Sequence, residues 1–472
     1  MKLKSLFRSL SALLLLPILM GQGCTNAPSA DVIQVSKSVA LDMWGVEDDM
    51  DVYQPVINAY HLQHPNVQIN YRRLRSAEYE NLVLEGLAED RGPDIFLIHN
   101  DWTAKYMSKI QPMPKTTKIG IMTETGSIKK TRAWVASIEP MISLKDFKSQ
   151  YADVVTRDLV RTVDVSKDSA KKDFQDRPMG LPLSVDTLAM YYNKDLLNAA
   201  GIATPPEDWS AFLDQSPKLV KLDTDGTILQ ASVGLGTAYN VENAVDIISV
   251  LMMQNGTQMA DANGLPTLTS IPEELRGQRS DPPSFTALTF YTDFANPAKQ
   301  AYTWNNAQLS SLDTFMQGKS AYFFGYSYNL AQIRARAPKL NLGIAKLPQI
   351  TGNPVRNYAN YWYWAVAKKA KNTDVAWNFL SFLTSPEQSK TFLSKVNRPA
   401  ARKSLLSAQL DSEDVGAFAS QVLTAQSWYR GNNPKVMGDA LKEMINEVVM
   451  GLNPVDKAIR YAANKIAQTI GR

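Results

Sequence analysis

The chain has 472 residues, of which 44 % are hydrophobic and 20 % are charged, the balance of a folded protein rather than a disordered one. Its length indicates two lobes of ordinary domain size. Of its 50 basic side chains, Lys2, Lys4 and Arg8 lie in a leader segment, which leaves 47 basic against 46 acidic residues in the rest of the chain. A near-neutral surface gives no electrostatic footprint for nucleic acid, so that class of partner is excluded.

The first 23 residues have the features of an export signal. The basic residues precede an apolar run, Leu10–Met20, which is too short to cross the ~30 Å hydrocarbon layer of a membrane as a helix. The run leads into Gly21–Cys24, which resembles a bacterial lipobox, and Cys24 is the only cysteine of the chain. We predict cleavage before Cys24, lipidation of its thiol and a tether over residues 24–35; two or more acyl chains would give stable attachment. The alternative is ordinary cleavage with an incidental thiol.

After the tether, strand and helix patterns alternate. The five segments follow one another as strand, helix, strand, helix and strand: Ser38–Trp44, Val52–His61, Val67–Tyr71, Tyr79–Ala88 and Asp94–Ile98. This order predicts a parallel sheet covered by helices, in which ligands bind beyond the carboxyl ends of the strands. Trp44 and His99–Trp102 lie at two of those ends.

Three segments further along have less regular patterns. Thr116–Pro140 lacks clear periodicity and is predicted to be an inserted loop, and Ser166–Pro178 is dense in charge and is predicted to be a solvated excursion. Asp223–Gly226 suggests a calcium loop, but Lys221 and Ser232 occupy positions that should hold carboxylates. A hairpin turn at Asp225-Gly226 is therefore favoured, and no metal site is predicted.

The last third of the chain has mainly helical spacing. The predicted helices are Thr373–Leu383, Pro386–Val396, Ser412–Val422 and Pro434–Ile470, the last with a break at Gly451–Pro454.

Eight short motifs connect the chain to a known family. They are spread from one end of the predicted body to the other: Gly92–Phe96, Gly180–Thr187, Tyr191–Leu197, Ala200–Ile202, Pro205–Trp209, Phe315–Ala321, Ala376–Leu380 and Thr384–Glu387. Together and in this order they resemble the extracellular solute-binding proteins of bacterial ABC importers, the group that includes the maltose-binding protein. Only the 116–140 and 166–178 regions fall outside the pattern.

The resemblance implies an α/β fold of the type II periplasmic-binding-protein class, with a ligand cleft between two lobes. Both lobes would be discontinuous, the N-terminal lobe formed by 36–185 and 361–400 and the C-terminal lobe by 186–360 and 401–472. The chain would cross between them near Ser184–Asp186, Asn360–Trp362 and Asn397–Ala401. Such crossings act as hinges that absorb a closing motion.

The predicted site follows from the chemistry of sugars, whose apolar C–H faces stack on aromatic rings and whose hydroxyls bind carboxylates and amides. Ligand contacts are expected from residues near strand ends and loops: Trp44, Asp48, Asn100, Asp101, Trp102, Asp186, Trp304, Tyr326, Tyr328, Tyr361, Trp362 and Trp428. The resemblance places the three aspartates Asp48, Asp101 and Asp186 where the family binds hydroxyls. For each ring the alternative is a place in the core, and for each acid it is a helix cap or a solvated loop.

Within this set, Trp102 and Tyr328 are expected to come from opposite lobes and to sandwich the ligand. Asp101 and Asp186 would bind its hydroxyls, and His99, one of three histidines, is a further candidate contact.

These observations predict a monomeric, extracytoplasmic binding protein, anchored to the cell membrane only through lipid and using no cofactor. It would capture a small polar ligand, a mono- or oligosaccharide, and deliver it to the permease of an ABC transporter. A polyol, a nucleoside or a peptide stays open as the ligand. The chain lacks a G-x-S-x-G elbow, an H-E-x-x-H pair and a nucleotide fingerprint, which favours binding over catalysis. The alternatives are a secreted carbohydrate-active enzyme and a sensory protein that docks on a receptor kinase.

Overall fold

The computed structural model describes residues 28–46, 48–125, 130–166 and 170–471, so Cys24 and the predicted export signal lie outside the described residues. The strands are β1 (Val39–Val46), β2 (Val67–Leu74), β3 (Ile95–His99), β4 (Ile110–Gln111), β5 (Thr116–Thr125), β6 (Thr131–Pro140), β7 (Val160–Asp164), β8 (Phe174–Pro178), β9 (Asp186–Thr187), β10 (Ala189–Asn193), β11 (Lys221–Leu222), β12 (Ile228–Val233), β13 (Ser320–Gly325), β14 (Leu342–Ala345), β15 (Asn357–Asn360), β16 (Trp362–Ala367) and β17 (Ala425–Gln426).

The helices are α1 (Ala30–Val35), α2 (Met50–Gln63), α3 (Ser76–Ala88), α4 (Thr103–Tyr106), α5 (Leu144–Gln150), α6 (Asp153–Leu159), α7 (Lys194–Ala199), α8 (Trp209–Leu219), α9 (Ala244–Gln254), α10 (Pro283–Asp293), α11 (Ser311–Met316), α12 (Ser327–Arg336), α13 (Thr373–Leu383), α14 (Pro386–Val396), α15 (Lys403–Leu406), α16 (Gly416–Gln421), α17 (Pro434–Val449) and α18 (Val455–Ala467). Short 3-10 turns cover Asn100–Trp102, Glu273–Leu275, Ser407–Gln409 and Val422–Thr424. Among the described residues, no helix combines the length and the apolar character that crossing a bilayer requires.

The first lobe is built on a five-stranded sheet in the order β2-β1-β3-β16-β4. β1 runs parallel to β2 and β3, whereas β16 pairs antiparallel with β3, so the predicted parallel β-α-β-α-β unit is confirmed. The first four residues of β3 are buried, because helices cover both faces of the sheet. The Asp94 carboxylate positions this strand by accepting the Asp42 N–H at 3.0 Å.

The second lobe is built on the sheet β11-β12-β13-β10-β14. Every residue of β13 is buried, and α8, α9, α10, α17 and α18 contribute apolar side chains to the same core. The predicted turn at Asp225-Gly226 is confirmed: it joins β11 to β12, and Gly226 has φ +84°, a left-handed conformation that glycine adopts without steric cost.

The three chain segments predicted to cross between the lobes lie side by side. Asn360 pairs with Asp186 across β15 and β9, and Ser184 forms a bridge with Ala400. The Val185 N–H also donates to the Pro399 carbonyl at 3.1 Å. These backbone bonds make the crossings one connected strip, which we call the crossing strip.

The prediction of an inserted loop at Thr116–Pro140 is wrong. The segment is a long hairpin in which β5 and β6 pair over ten residues each, and Ile138 on its outer face is 69 % exposed. Apolar and polar residues mix on both faces because α1 and α13 cover only part of the hairpin. That mixture hides the two-residue period on which strand prediction depends.

Two smaller predictions also need correction. Phe174–Pro178, the end of the predicted solvated excursion, is strand β8 and pairs with β7 although Phe174 is exposed. The predicted helix Ser412–Val422 is reduced to Gly416–Gln421, followed by a 3-10 turn. Acidic and hydroxyl residues before Gly416 favour turns, since their side chains compete for backbone hydrogen bonds.

Helix α1 is fastened to the hairpin. The Asp31 carboxylate pairs with Lys118 Nζ at 2.6 Å, and Asn66 donates to the Val35 carbonyl at 3.0 Å. Gly120 lies directly against that same carbonyl, so a side chain at position 120 would collide with it. Residues 30–35 of the predicted tether are therefore a helix bonded to the first lobe.

Candidate ligand-binding cleft

A cavity of about 280 Å³ lies beside the crossing strip and has side chains from both lobes around it. Tyr53 and Trp362 line it from the first lobe, Tyr328 lines it from the second, and Ser184 and Asn360 belong to the strip. We call it the hinge cavity. Aromatic rings with a few polar groups are the composition expected of a small-molecule site.

An ion pair forms one wall of the hinge cavity. The Arg398 guanidinium donates to both carboxylate oxygens of Asp48 at 2.8 and 2.7 Å, and the Tyr53 hydroxyl donates to the same group at 3.2 Å. The Arg398 and Asp48 side chains are only 24 % and 10 % exposed. Burial lowers the pKa of Arg398, but Asp48 outweighs this and the pKa ends above its ordinary value. Asp48 therefore fixes a cation at the cavity.

Asp186 connects the crossing strip to the second lobe. One carboxylate oxygen accepts the backbone N–H and the hydroxyl of Ser327 at 2.9 and 2.6 Å, and the other accepts the Thr187 N–H at 2.9 Å. Burial raises the pKa of Asp186 to about 6 against these hydrogen bonds. Because Ser327 begins α12, Asp186 orients the helix that carries Tyr328.

Two carboxylates from opposite lobes lie near His99. Asp101 Oδ2 is 3.7 Å from His99 Nδ1, and His99 Nε2 is 3.0 Å from the amide oxygen of Asn360. On the second lobe, Asp246 accepts the Tyr326 hydroxyl at 2.6 Å. Burial raises the pKa of Asp101. Burial also raises the pKa of Asp246, to about 6; the hydrogen bond from Tyr326 lowers this pKa, and the negative charge of Asp101 raises it further. Such groups can bind sugar hydroxyls as acceptors or, when protonated, as donors.

Aromatic rings approach the hinge cavity from both sides. The Trp362 ring packs edge-on against Trp102 and against His99, with 5.2 Å between ring centres in each case. On the other lobe Tyr328 stacks on Tyr326 at 5.7 Å and is 44 % exposed. The exposed Tyr328 and the half-buried Trp362 both line the hinge cavity, and such rings suit the apolar faces of a sugar ring.

A second, larger cavity of about 990 Å³ lies between the lobes, and we call it the interlobe cavity. The two cavities share one strand end, because His99 lines the hinge cavity whereas Asn100 and Asp101 line the interlobe cavity. Arg430 lines it and pairs with the buried Asp158 at 2.7 Å, and Asp158 also accepts the Tyr361 hydroxyl at 2.9 Å.

The predicted site residues are distributed over these cavities and the cores. Five line the hinge cavity: Asp48, Asp186, Tyr328, Tyr361 and Trp362. Three line the interlobe cavity: Asn100, Asp101 and Trp428.

Four others lie elsewhere. Trp102 contacts the cavity through Trp362, and Trp44 is half-buried beneath the Arg72 guanidinium. Tyr326 is fully buried, and Trp304 is 0 % exposed in the second core with its indole N–H on Asn240 at 3.2 Å. In this conformation Trp304 has no surface to offer a ligand.

The sequence did not indicate three of the polar residues near the hinge cavity. Arg398 was recognised only as part of a predicted crossing, and Tyr53 reads as one more apolar position of α2. Asp246 lies in the first turn of α9, where an acid is ordinarily explained by the helix dipole. Tyr53 and Arg398 meet at the hinge cavity only because distant segments of the chain pack together, and Asp246 approaches Asp101 and His99 for the same reason.

Residues 44–390 match the bacterial extracellular solute-binding protein family, and the chain belongs to that family. The predicted two-lobe α/β fold is confirmed by solved structures. A cyclo/maltodextrin-binding protein complexed with maltotetraose has a TM-score of 0.66 at 15 % identity, covering 91 % of this chain and 97 % of that one. A cyclic alpha-maltosyl-1,6-maltose binding protein from Arthrobacter globiformis has a TM-score of 0.65 at 16 % identity, covering 92 % and 99 %.

Curated relatives also share low sequence identity with this chain. The galactooligosaccharide-binding protein of Bacillus subtilis is 22 % identical over 93 % of this chain and 88 % of its own length. A maltooligosaccharide ABC transporter solute-binding lipoprotein of Streptococcus pneumoniae is 22 % identical over 68 % and 72 %. Proteins of Brucella abortus and Brucella suis that are named as binding proteins are 24 % identical over 61 % of this chain, which spans 66 % of their length.

Proposed function

We propose that this solute-binding protein captures a mono- or oligosaccharide in its cleft and delivers it to the permease of an ABC importer. The observation that carries the proposal is the hinge cavity, where Trp362 and Tyr328 approach from different lobes beside the polar side chains of Arg398 and His99. Aromatic rings and fixed polar groups around one cavity suit a sugar's apolar faces and hydroxyls. The names of the Bacillus and Streptococcus relatives support the same ligand class.

The proposed mechanism is closure of the lobes about the crossing strip. A ligand that touches Trp362 on one lobe and Tyr328 on the other binds the closed form better and shifts the population toward it. The proposed lobes are 36–185 with 361–400, and 186–360 with 401–472. Going from almost wholly open to almost wholly closed requires a differential affinity of about 10⁴-fold.

Binding without catalysis is part of the proposal. A glycosidase needs one carboxyl to protonate the leaving group and a second to attack or to activate water. Around the hinge cavity, however, both lining acids are occupied: Asp48 is held by Arg398, and the two oxygens of Asp186 accept from Ser327 and Thr187. The enzymatic alternative predicts turnover of an oligosaccharide by the purified protein.

The remaining parts of the proposal concern location and partners. Lipid on Cys24 would hold a monomer outside the cytoplasm, at the membrane that contains the permease. A sensory role through a receptor kinase would use the same cleft, and deletion of the gene for this protein, followed by measurement of sugar uptake in cells that keep the permease, distinguishes the two. Loss of sugar uptake in the deletion strain supports transport, whereas unchanged uptake contradicts it.

A thermal-shift screen of the full-length protein against saccharides tests the ligand class, since a ligand that binds only the folded state raises Tm. We expect a selective rise with one saccharide family. Trp362→Ala should remove that rise, whereas Trp134→Ala on the distant hairpin should keep it. If no saccharide raises Tm but a peptide or a nucleoside does, the proposed ligand class is wrong.

A further inference from the structure

The interlobe cavity is rich in arginine from both lobes. Arg157 and Arg161 line it from the first lobe, Arg279 and Arg356 line it from the second, and Arg430 lies beside them after β17. Arg430 is neutralised by its ion pair with the buried Asp158. The other four form no ion pair within the described residues.

Each of these four guanidiniums donates only to neutral groups. Arg157 and Arg356 each donate to one backbone carbonyl, at 3.2 and 3.3 Å. Arg161 donates to two backbone carbonyls, both at 2.9 Å. Arg279 donates to the side-chain amide oxygen of Asn255 at 3.1 Å. A guanidinium has five N–H donors in a planar fork. Most of the donors around the cavity therefore remain available to a ligand or to water.

The acids of the same cavity do not cancel this charge locally. The cavity also contains Asp101, Asp261 and Glu274, but none of them pairs with one of the four arginines. Asp261 is engaged by its own loop, whose backbone N–H groups at Asn263 and Leu265 donate to it at 2.9 Å. Asp101 lies beside His99 at the neck between the cavities.

Closure of the lobes raises the electrostatic energy of the unpaired arginines. Two of them sit on each lobe, so bringing the lobes together brings like charges together as water leaves the cleft. At Arg161, burial and then the positive charge of Arg430 lower the pKa, and the negative charge of Asp158 opposes them. A ligand carrying negative charge would remove this repulsion, whereas a neutral ligand would leave it in place.

We infer that the ligand is an anionic oligosaccharide, whose carboxylate or sulfate groups lie among the four arginines of the interlobe cavity while a sugar ring occupies the hinge cavity. This inference rests on the proposed function. Planar guanidinium forks bind carboxylates and other oxyanions through paired, charge-assisted hydrogen bonds. The strand end at His99–Asp101 contributes to the linings of both cavities, and the ligand that we infer extends past it from the rings to the arginines.

Calorimetric titration of the full-length protein tests the inference with matched saccharides. The first set contains uronate trisaccharides of several linkages, each compared with its carboxyl-reduced, neutral counterpart. The second set contains sulfated trisaccharides and their unsulfated counterparts. We expect the anionic member of one pair to bind at least about tenfold tighter, the scale of one lost charged hydrogen bond. The preference should shrink as salt is raised from about 0.01 M to about 0.15 M.

Two variants, one from each lobe, separate charge recognition from folding. Arg161→Gln and Arg279→Gln should each weaken binding of the anionic trisaccharide by about tenfold and leave its neutral counterpart unchanged. Arg276→Gln is the matched control, because Arg276 lies in the same stretch but is exposed, pairs with Glu273 and does not line the cavity.

The outcomes are distinguishable. Preference for a uronate or for a sulfated sugar identifies which anionic group the arginines bind. Neutral saccharides that bind as tightly as their anionic partners overturn the inference and leave the sugar-binding proposal standing. If no saccharide of either set binds, the proposed function fails and the inference fails with it.

Discussion

Replacing Asp246 with asparagine should stabilise the folded protein at neutral pH and have no effect in acid. The side chain is partly buried on the second lobe, where Tyr326 donates to it and where Asp101 and His99 lie close enough to influence its charge. Asparagine keeps an oxygen that can accept the Tyr326 hydroxyl but removes the titration. The variant therefore isolates the cost of holding a negative charge at this position.

The sign and size follow from the pKa. Burial raises the pKa of Asp246 from 3.8 to about 6, so the folded protein holds a proton that the unfolded chain has already lost at intermediate pH. The wild type loses stability as the pH rises from about 4 to about 6 and keeps the deficit above that window. The difference between the two pKa values corresponds to at most about 3 kcal/mol, and partial contact with water makes the expected gain about 1–2 kcal/mol.

Urea denaturation followed by tryptophan fluorescence, repeated between about pH 4 and about pH 7, measures this profile. Asp214→Asn is the matched control, because Asp214 is exposed on α8, and its profile should follow that of the wild type. If Asp246→Asn is less stable than the wild type at neutral pH, or if the two differ equally at every pH, the argument from buried charge is refuted.

Three further predictions concern the site and the anchor. Arg398→Met leaves Asp48 largely buried without its cation, so it should cost about 3 kcal/mol of folding free energy in denaturation, and adding Asp48→Asn should recover part of that loss; an additive double variant would contradict the pairing. Tyr328→Ala should weaken ligand binding by about 1–3 kcal/mol while Tm stays close to that of the exposed-surface control Tyr239→Ala; equal ligand affinity in both variants would remove Tyr328 from the site. Cys24→Ser should abolish incorporation of radiolabelled fatty acid, and undiminished label would rule out lipid at this position.

The sequence predicted best the elements whose signals are local. The alternation over residues 38–98 and the helices at Thr373–Leu383 and Pro386–Val396 were all confirmed. In α14, for example, Ser385 caps the helix and Pro386 begins it, which are cues that need no tertiary structure. The hairpin β5–β6 escaped prediction because its burial is set by α1 and α13, which pack on it from distant parts of the chain.

Predicting the site met the same limit. Whether a tryptophan lies in a cleft or a core depends on its distant neighbours, and Trp304 is enclosed by the second lobe whereas Trp362 faces the hinge cavity. The sequence indicated which carboxylates line the cavity but not what each of them binds. Asp48 and Asp186 do line the cavity, but Arg398 and Ser327 occupy their oxygens, and neither partner could be paired with its aspartate from spacing alone.

The fastening of α1 to the hairpin has a mechanical consequence for an anchored protein. Only six residue steps separate Cys24 from Ala30, the start of α1, and even a fully extended chain of that length spans about 20 Å. If lipid is attached at Cys24, the start of α1, which packs on β5 and β6, stays within about 20 Å of the bilayer surface. This short connection would thus restrict the rotation of the molecule, so that its cleft meets a permease in a limited range of orientations. Lengthening the chain between Cys24 and Ala30 would widen that range while leaving the fold and the cleft unchanged.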